Sequence, residues 1–187
     1  MTTRIIPLEP PYPTDIKGSF DMIMPPGIPP LGIFRTVAHN PRVLSRMIQG
    51  GLLDKGSISI AERELVILRT CALCKAEYEW GVHVTGFAQK AGFTPEQVDD
   101  TVSETPTLSY WSDKEILLLQ LADQLYRTKT VDDALWAELS VYYADDQLIE
   151  LIMLAGLYHA VSFIVNACGV PREGFAAAFP DVSIREQ

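Results

Sequence analysis

From Pro41 onward, apolar residues recur at three- and four-residue spacing between abrupt polar or glycine stops, the pattern of successive packed helices. Pro41 opens a short helix that ends near Gly50-Gly51. Ser59-Ile-Ala-Glu62 forms a capping box, and the apolar run behind it predicts a long helix closing at Gly92. Thr94-Pro95-Glu96-Gln97 repeats the start signal, with proline at the first helical position. Ser112-Asp-Lys-Glu115 caps a helix to about Arg127, Asp132–Tyr143 reads as another, and Asp145 caps a last long one ending at Gly169. No alternating strand pattern or Asn-Gly hairpin turn stands out, so the expected class is all-α.

The first thirty-three residues break this pattern. Eight of the thirteen prolines fall between Pro7 and Pro30, and proline opposes regular helix. Ile5, Ile6, Tyr12, Phe20, Met22, Ile23 and Met24 are nonetheless too apolar for a free tail. Residues 1–33 therefore read as an extended arm lying on the body or on a neighbouring subunit, and 34–187 as a single helical domain. The longest apolar stretch, Leu148 to Cys168, has the length of a membrane span but contains Glu150, His159, Ser162 and Asn166. A buried core or subunit-interface helix is the better reading.

Charge narrows the partners. A formal net charge of −9 argues against nucleic acid, which needs a basic stripe, and against anionic membrane surfaces. The opening MTTRIIPLEPPYP lacks a signal-peptide pattern, so a cytoplasmic location is expected. Three cysteines do not make a disulfide scaffold.

Candidate chemistry concentrates between Glu77 and His83, where Glu-Tyr-Glu-Trp-Gly-Val-His places two carboxylates, two aromatics and an imidazole inside an apolar segment. Buried charged groups are costly unless paired, which marks this segment as a candidate site. Glu79 and His83 are four apart and share a helical face. A carboxylate beside an imidazole raises its basicity and fixes its tautomer, and a simple surface ion pair is the competing reading. Glu77 and Trp80 lie round the other side, with Tyr78 between; Trp80 suits core packing, whereas the Tyr78 phenol could donate to an oxyanion. Glu64 and Arg69 stand earlier in the same helix, and ion pairing with Arg63 or Arg69 is the expected use of Glu64. His39 precedes Asn40-Pro41 as a helix-opening cap. His159 and Asn166, seven apart, are pocket liners or satisfied core groups.

Cys71-Ala-Leu-Cys74 is a CxxC pair. Such a pair is redox-active when its first sulfur sits at a helix N-terminus, but these two fall well inside the expected helix, where buried packing residues are the alternative. No spacing completes a four-ligand metal site, although Glu79, His83 and His159 together are conceivable, and there is no phosphate loop or serine elbow.

Arg63-Glu-Leu-Val-Ile-Leu, Glu77-Tyr-Glu-Trp-x-x-His83, Ala91-Gly92 and Tyr158-His159-Ala-Val-Ser162 through Asn166 to Gly169-Val-Pro171 together resemble the carboxymuconolactone decarboxylase family of the alkylhydroperoxidase-D-like superfamily. The resemblance implies an alkylhydroperoxidase-D-like helical bundle that assembles as a homo-oligomer, a trimer or hexamer, with pockets near subunit contacts. It implies Glu77, Glu79 and His83 as site residues, with Glu64 beside them. Redox members carry Cys-x-x-Cys with histidine four residues later and a glutamate upstream. Counted back from Ala91-Gly92, Glu77 and Trp80 occupy those cysteine positions here, and Cys71 and Cys74 come six residues early.

Two functions compete. The first is acid–base chemistry on a small carboxylated or lactone-type molecule, by decarboxylation or a related lyase or isomerase step. His83 delivers the proton, Glu79 tunes it, Tyr78 binds the oxyanion, and Arg69 or a neighbouring subunit's arginine holds a substrate carboxylate. That chemistry requires no cofactor, neither metal nor nucleotide. The second is thiol peroxidase or disulfide reductase activity through Cys71 and Cys74.

Overall fold

The computed structural model describes residues 2–180. In chain order its helices are α1 (Thr14–Ile23), α2 (Gly32–Val37), α3 (Pro41–Gln49), α4 (Ile60–Leu73) and α5 (Glu77–His83), followed by a π-helical turn at Val84–Ala88. Then come α6 (Gln89–Ala91), α7 (Pro95–Asp100), a 3₁₀ turn at Leu108–Tyr110, α8 (Asp113–Thr128), α9 (Asp133–Tyr142) and α10 (Asp145–Cys168). No strand occurs among the described residues, and the class is all-α as expected.

The capping boxes form as read. Ser59 and Glu62, Thr94 and Gln97, and Ser112 and Glu115 each bond reciprocally at the starts of α4, α7 and α8. Two caps differ from expectation. Asn40, not His39, accepts the Val43 N–H to open α3, while His39 bonds the Ile6 carbonyl through Nε2 at 2.9 Å. Ala144 rather than Asp145 precedes α10, and its N–H is taken by Oε1 of Gln147 at 3.1 Å.

The arm is only partly extended. Residues 14–23 form a regular helix, α1, contrary to the reading that prolines forbid one. The prolines cluster on either side, leaving a proline-free window in which Ile16, Phe20 and Ile23 recur at helical spacing; Ile16 and Phe20 are buried in the common core. The preceding stretch is tied to the body by Arg4 N–H to the Cys168 carbonyl at 2.8 Å and Leu8 N–H to the Arg35 carbonyl at 3.2 Å.

α4 is the central element, packed against α5, α8 and α10. Leu65, Val66, Ile67 and Leu68 are all fully buried, so this helix has no solvent face in mid-course and its charged residues must find partners inside. α10 is long and apolar enough by composition to cross a membrane, but Leu148, Leu151, Leu154, Tyr158, Val161 and Val165 line one face packed into the core.

The expected helix from Ser59 to Gly92 is broken. Lys75 adopts φ 54°, the left-handed region, and the chain restarts as α5. The Ala76 N–H returns to the Cys71 carbonyl at 2.8 Å, closing α4 in a C-terminal cap. The π turn at Val84–Ala88 follows, and Gly92 ends the run at φ 82° as anticipated.

Candidate active site

The break after α4 aligns α5 beside it, so that His83 faces back onto Glu64. Nδ1 of His83 is 2.7 Å from Oε2 of Glu64, and both side chains are buried. The other Glu64 oxygen takes Arg63, with Nε at 2.9 Å and Nη2 at 2.8 Å. On the opposite edge of the imidazole, Nε2 lies 3.0 Å from the Tyr158 hydroxyl and 3.5 Å from Oε1 of Glu79. Phe87, carried by the π turn, stacks on the imidazole at 5.3 Å between centroids and receives the Arg63 guanidinium at 5.3 Å on its ring.

Burial alone would push the imidazole toward its neutral form, but the Glu64 and Glu79 carboxylates outweigh it and raise its pKa to about 9. His83 is thus an imidazolium at neutral pH, with Nδ1–H donated to Glu64 and Nε2–H to the Tyr158 oxygen. The Tyr158 phenol, pushed well up by burial and by the negative charge of Glu79, keeps its own proton. That proton is left to point elsewhere.

Tyr158 and Glu79 are the buried polar groups of a cavity of about 510 Å³. Its walls are Met22 and Ile23 of α1, Phe34 of α2, Met47, Ile48 and Gln49 of α3, the loop residues Gly51, Leu53 and Asp54, and Leu157 and Val161 of α10. The volume falls within the ~300–1,000 Å³ of small-ligand sites. Oε2 of Glu79 is buried with no hydrogen-bond partner among the described residues.

The structure brings together Glu64, Glu79 and His83 of the sequence-derived candidates and sends the others elsewhere. Glu77 accepts the Phe179 N–H at 2.9 Å. The Tyr78 hydroxyl donates to Glu173 at 2.8 Å and accepts the Ile33 N–H, so it has no part at the cavity. Glu173 and Phe179 belong to a closing segment that lies against α5 so tightly that a Cβ on Gly81 would fall 2.1 Å from the Ala177 carbonyl oxygen. Trp80 is core, its indole N–H bonded to Thr101 at 2.9 Å. Arg69 is not a substrate cation: it is 1% exposed, paired with Asp123 and bonded to the Thr101 and Ser103 carbonyls. His159 points away, stacked on Tyr126 and edge-on to Phe163. Asn166 caps the Cys74 carbonyl at 2.8 Å.

The two cysteines mark the end of α4 rather than its middle. Cys71 lies in the last turn, fully buried, and burial followed by the Glu79 charge raises its thiol pKa well above normal. Cys74, at the C-cap and partly buried, is also raised by burial.

The sequence reading takes His159 as a pocket liner and gives its neighbour Tyr158 no role. The stripe Leu151, Leu154, Tyr158, Val161, Val165 puts Tyr158 on the buried face of α10 and turns His159 about 100° away. That period was available in the sequence.

Residues 41–122 match the carboxymuconolactone decarboxylase family. The family segment contains Glu64, Glu79 and His83. No curated protein matches the chain in sequence. Among solved structures, the chain is similar to an uncharacterized peroxidase-related protein from Silicibacter sp. TM1040, at 17% identity and TM-score 0.77 over 95% of this chain and 96% of that one. It is similar to an alkylhydroperoxidase AhpD core protein from Ralstonia eutropha JMP134 at 16% identity, TM-score 0.77, over 92% and 95%. It is also similar to the debrominase Bmp8 in complex with 2,3,4-tribromopyrrole, at 16% identity, TM-score 0.75, over 94% of each chain. These likenesses establish the alkylhydroperoxidase-D-like fold.

The cysteine register depends on where the count starts. Counted back from His83, which the structure pairs with Glu64, the Cys-x-x-Cys positions of the pattern fall on Ala76 and Glu79; counted from Ala91-Gly92 they fall on Glu77 and Trp80. On the first count, a carboxylate stands where the sulfur nearer the histidine would be.

Proposed function

We propose that the protein is a cofactor-free acid–base enzyme that moves a proton between carbons of a small lactone-type molecule. The carrying observation is the convergence of Glu79, Tyr158 and the Tyr158-bound His83 imidazolium at one end of a ligand-sized cavity. Glu79 takes the proton from the carbon next to the carbonyl. The Tyr158 O–H, polarised by the imidazolium behind it, bonds the carbonyl oxygen as it becomes an enolate. The proton returns at the far end of the conjugated system, shifting the double bond and leaving the enzyme unchanged. Glu64 holds the imidazole in place and keeps it charged. The debrominase of this fold is complexed with 2,3,4-tribromopyrrole, which supports a ring-sized ligand here.

The test is conversion of an alkyl β,γ-unsaturated γ-lactone to its conjugated isomer, followed by the ultraviolet absorbance of the product. Wild type is expected to catalyse it, Tyr158→Phe to be slower by about 10- to 1,000-fold, and Tyr78→Phe to be unaffected. No conversion, or equal rates for wild type and Tyr158→Phe, overturns the reading.

The thiol peroxidase alternative draws support from the names of two structural relatives. The buried, pKa-raised Cys71 opposes it, because the thiolate is the reactive form. A small excess of hydrogen peroxide is expected to leave Cys71 and Cys74 as free thiols, read by alkylation and intact mass. Rapid disulfide formation would transfer the assignment to the peroxidase.

A further inference from the structure

The cavity that would serve this reaction carries a second message, in the charges its walls do and do not hold. Among the described residues its lining contains two acids, Glu79 and Asp54, and no lysine or arginine. Asp54 is exposed, at the rim. Inside, charges cancel in pairs: Arg63 with Glu64, and the His83 imidazolium with Glu79. Arg69, the cation expected to grip a substrate carboxylate, is sealed in the core with Asp123. A carboxylate entering here would lose its hydration, meet no free cation and pass the Asp54 charge at the entrance. An ammonium group would meet the unpartnered Oε2 of Glu79, but it would shed its hydration for that one oxygen and sit beside the His83 imidazolium, a like charge.

Apart from Tyr158 and the exposed Gln49, the remaining wall is apolar. Met22 and Ile23 at the end of α1 and Phe34 of α2 close one side against Leu157 and Val161 of α10. Methionine side chains adapt to variable shapes, so Met22 and Met47 suit a hydrocarbon substituent of no fixed outline.

We propose that the cavity takes an uncharged molecule, a neutral unsaturated lactone or similar cyclic carbonyl compound bearing a hydrocarbon chain, and rejects its carboxylated counterpart, with α1 supplying the wall that makes this choice. The inference rests on the acid–base reading for the carbonyl head, while the charge argument concerns binding alone.

The experiment is isothermal titration calorimetry with three γ-butenolides sharing one ring and differing at the chain end: pentyl, carboxylate and ammonium. Wild type is expected to bind the pentyl lactone at least about tenfold more tightly than either charged one. Ile23→Arg, which sets a cation into the α1 wall, is expected to shift preference toward the carboxylate. Equal or tighter binding of either charged lactone by wild type, or no binding of any of the three, overturns the inference. If the pentyl lactone binds but is not isomerised, the substrate class stands and the acid–base reading falls. If the carboxylated lactone is bound preferentially and turned over, the reverse holds.

Discussion

His83→Gln is expected to lower turnover of the unsaturated lactone by about 10- to 1,000-fold, no more than loss of the Tyr158 hydroxyl that it polarises. Glutamine is close in reach to imidazole and can still bond Glu64, so the fold should survive. What disappears is the positive charge behind the Tyr158 hydroxyl that polarises it toward the enolate oxygen. The pH profile is the sharper readout. With a pKa of about 9, His83 is charged through neutral pH, so activity should hold on that side and fall as pH rises through about 9. Glu64→Gln removes a carboxylate that favours the imidazolium, and the alkaline fall should move to lower pH while the reaction persists. A merely structural Glu64 would lower activity without moving that limb. Stability follows the same sign: the raised pKa contributes fully below the unfolded value near 6.5 and is lost as pH rises through about 9. Unchanged turnover in His83→Gln would remove this residue from the mechanism.

Arg69→Leu is expected to destabilise the fold by about 3 kcal/mol, the cost of leaving a buried partner uncompensated. The guanidinium holds both Asp123 oxygens, at 2.6 and 3.0 Å, and two backbone carbonyls, of Thr101 and Ser103. Leucine fills much of the volume and none of those bonds, so the carbonyls and Asp123 lose their donors together. For a chain of this size that corresponds to a fall of about 10 °C in melting temperature. Ligand affinity, measured well below the melting point, should not change. A stable Arg69→Leu protein that has lost ligand binding would return Arg69 to the cavity and overturn its structural role.

The helices were legible because their boundaries are chemical: serine, threonine and aspartate caps, and glycine at Gly92 and Gly169. Glu79 and His83 were legible too, since one helical turn relates them. The rest depended on contacts that spacing along the chain does not carry. The Glu64–His83 pair crosses the break at Lys75, where a non-glycine residue in the left-handed region gave no sequence signal. Tyr158 comes from a helix 75 residues away from its partner His83. Arg69, Tyr78 and Trp80 have the chemistry of a site but were spent on Asp123, Glu173 and Thr101, partners that only the packed chain reveals. The helix α1 was hidden by its flanking prolines, although the window between them carried a helical repeat.

Glu64, Glu79 and His83 lie within residues 41–122, whereas Met22, Ile23, Phe34, Leu157 and Tyr158 lie outside. The proposed proton carrier and its imidazolium neighbour therefore share one stretch of chain with the α3 wall, while the α1 and α2 wall and Tyr158 come from outside it. Drift in α1 and α2 can reshape one side of the cavity without touching Glu64, Glu79 or His83. Two proteins sharing that middle stretch can carry one family name and still accept different molecules.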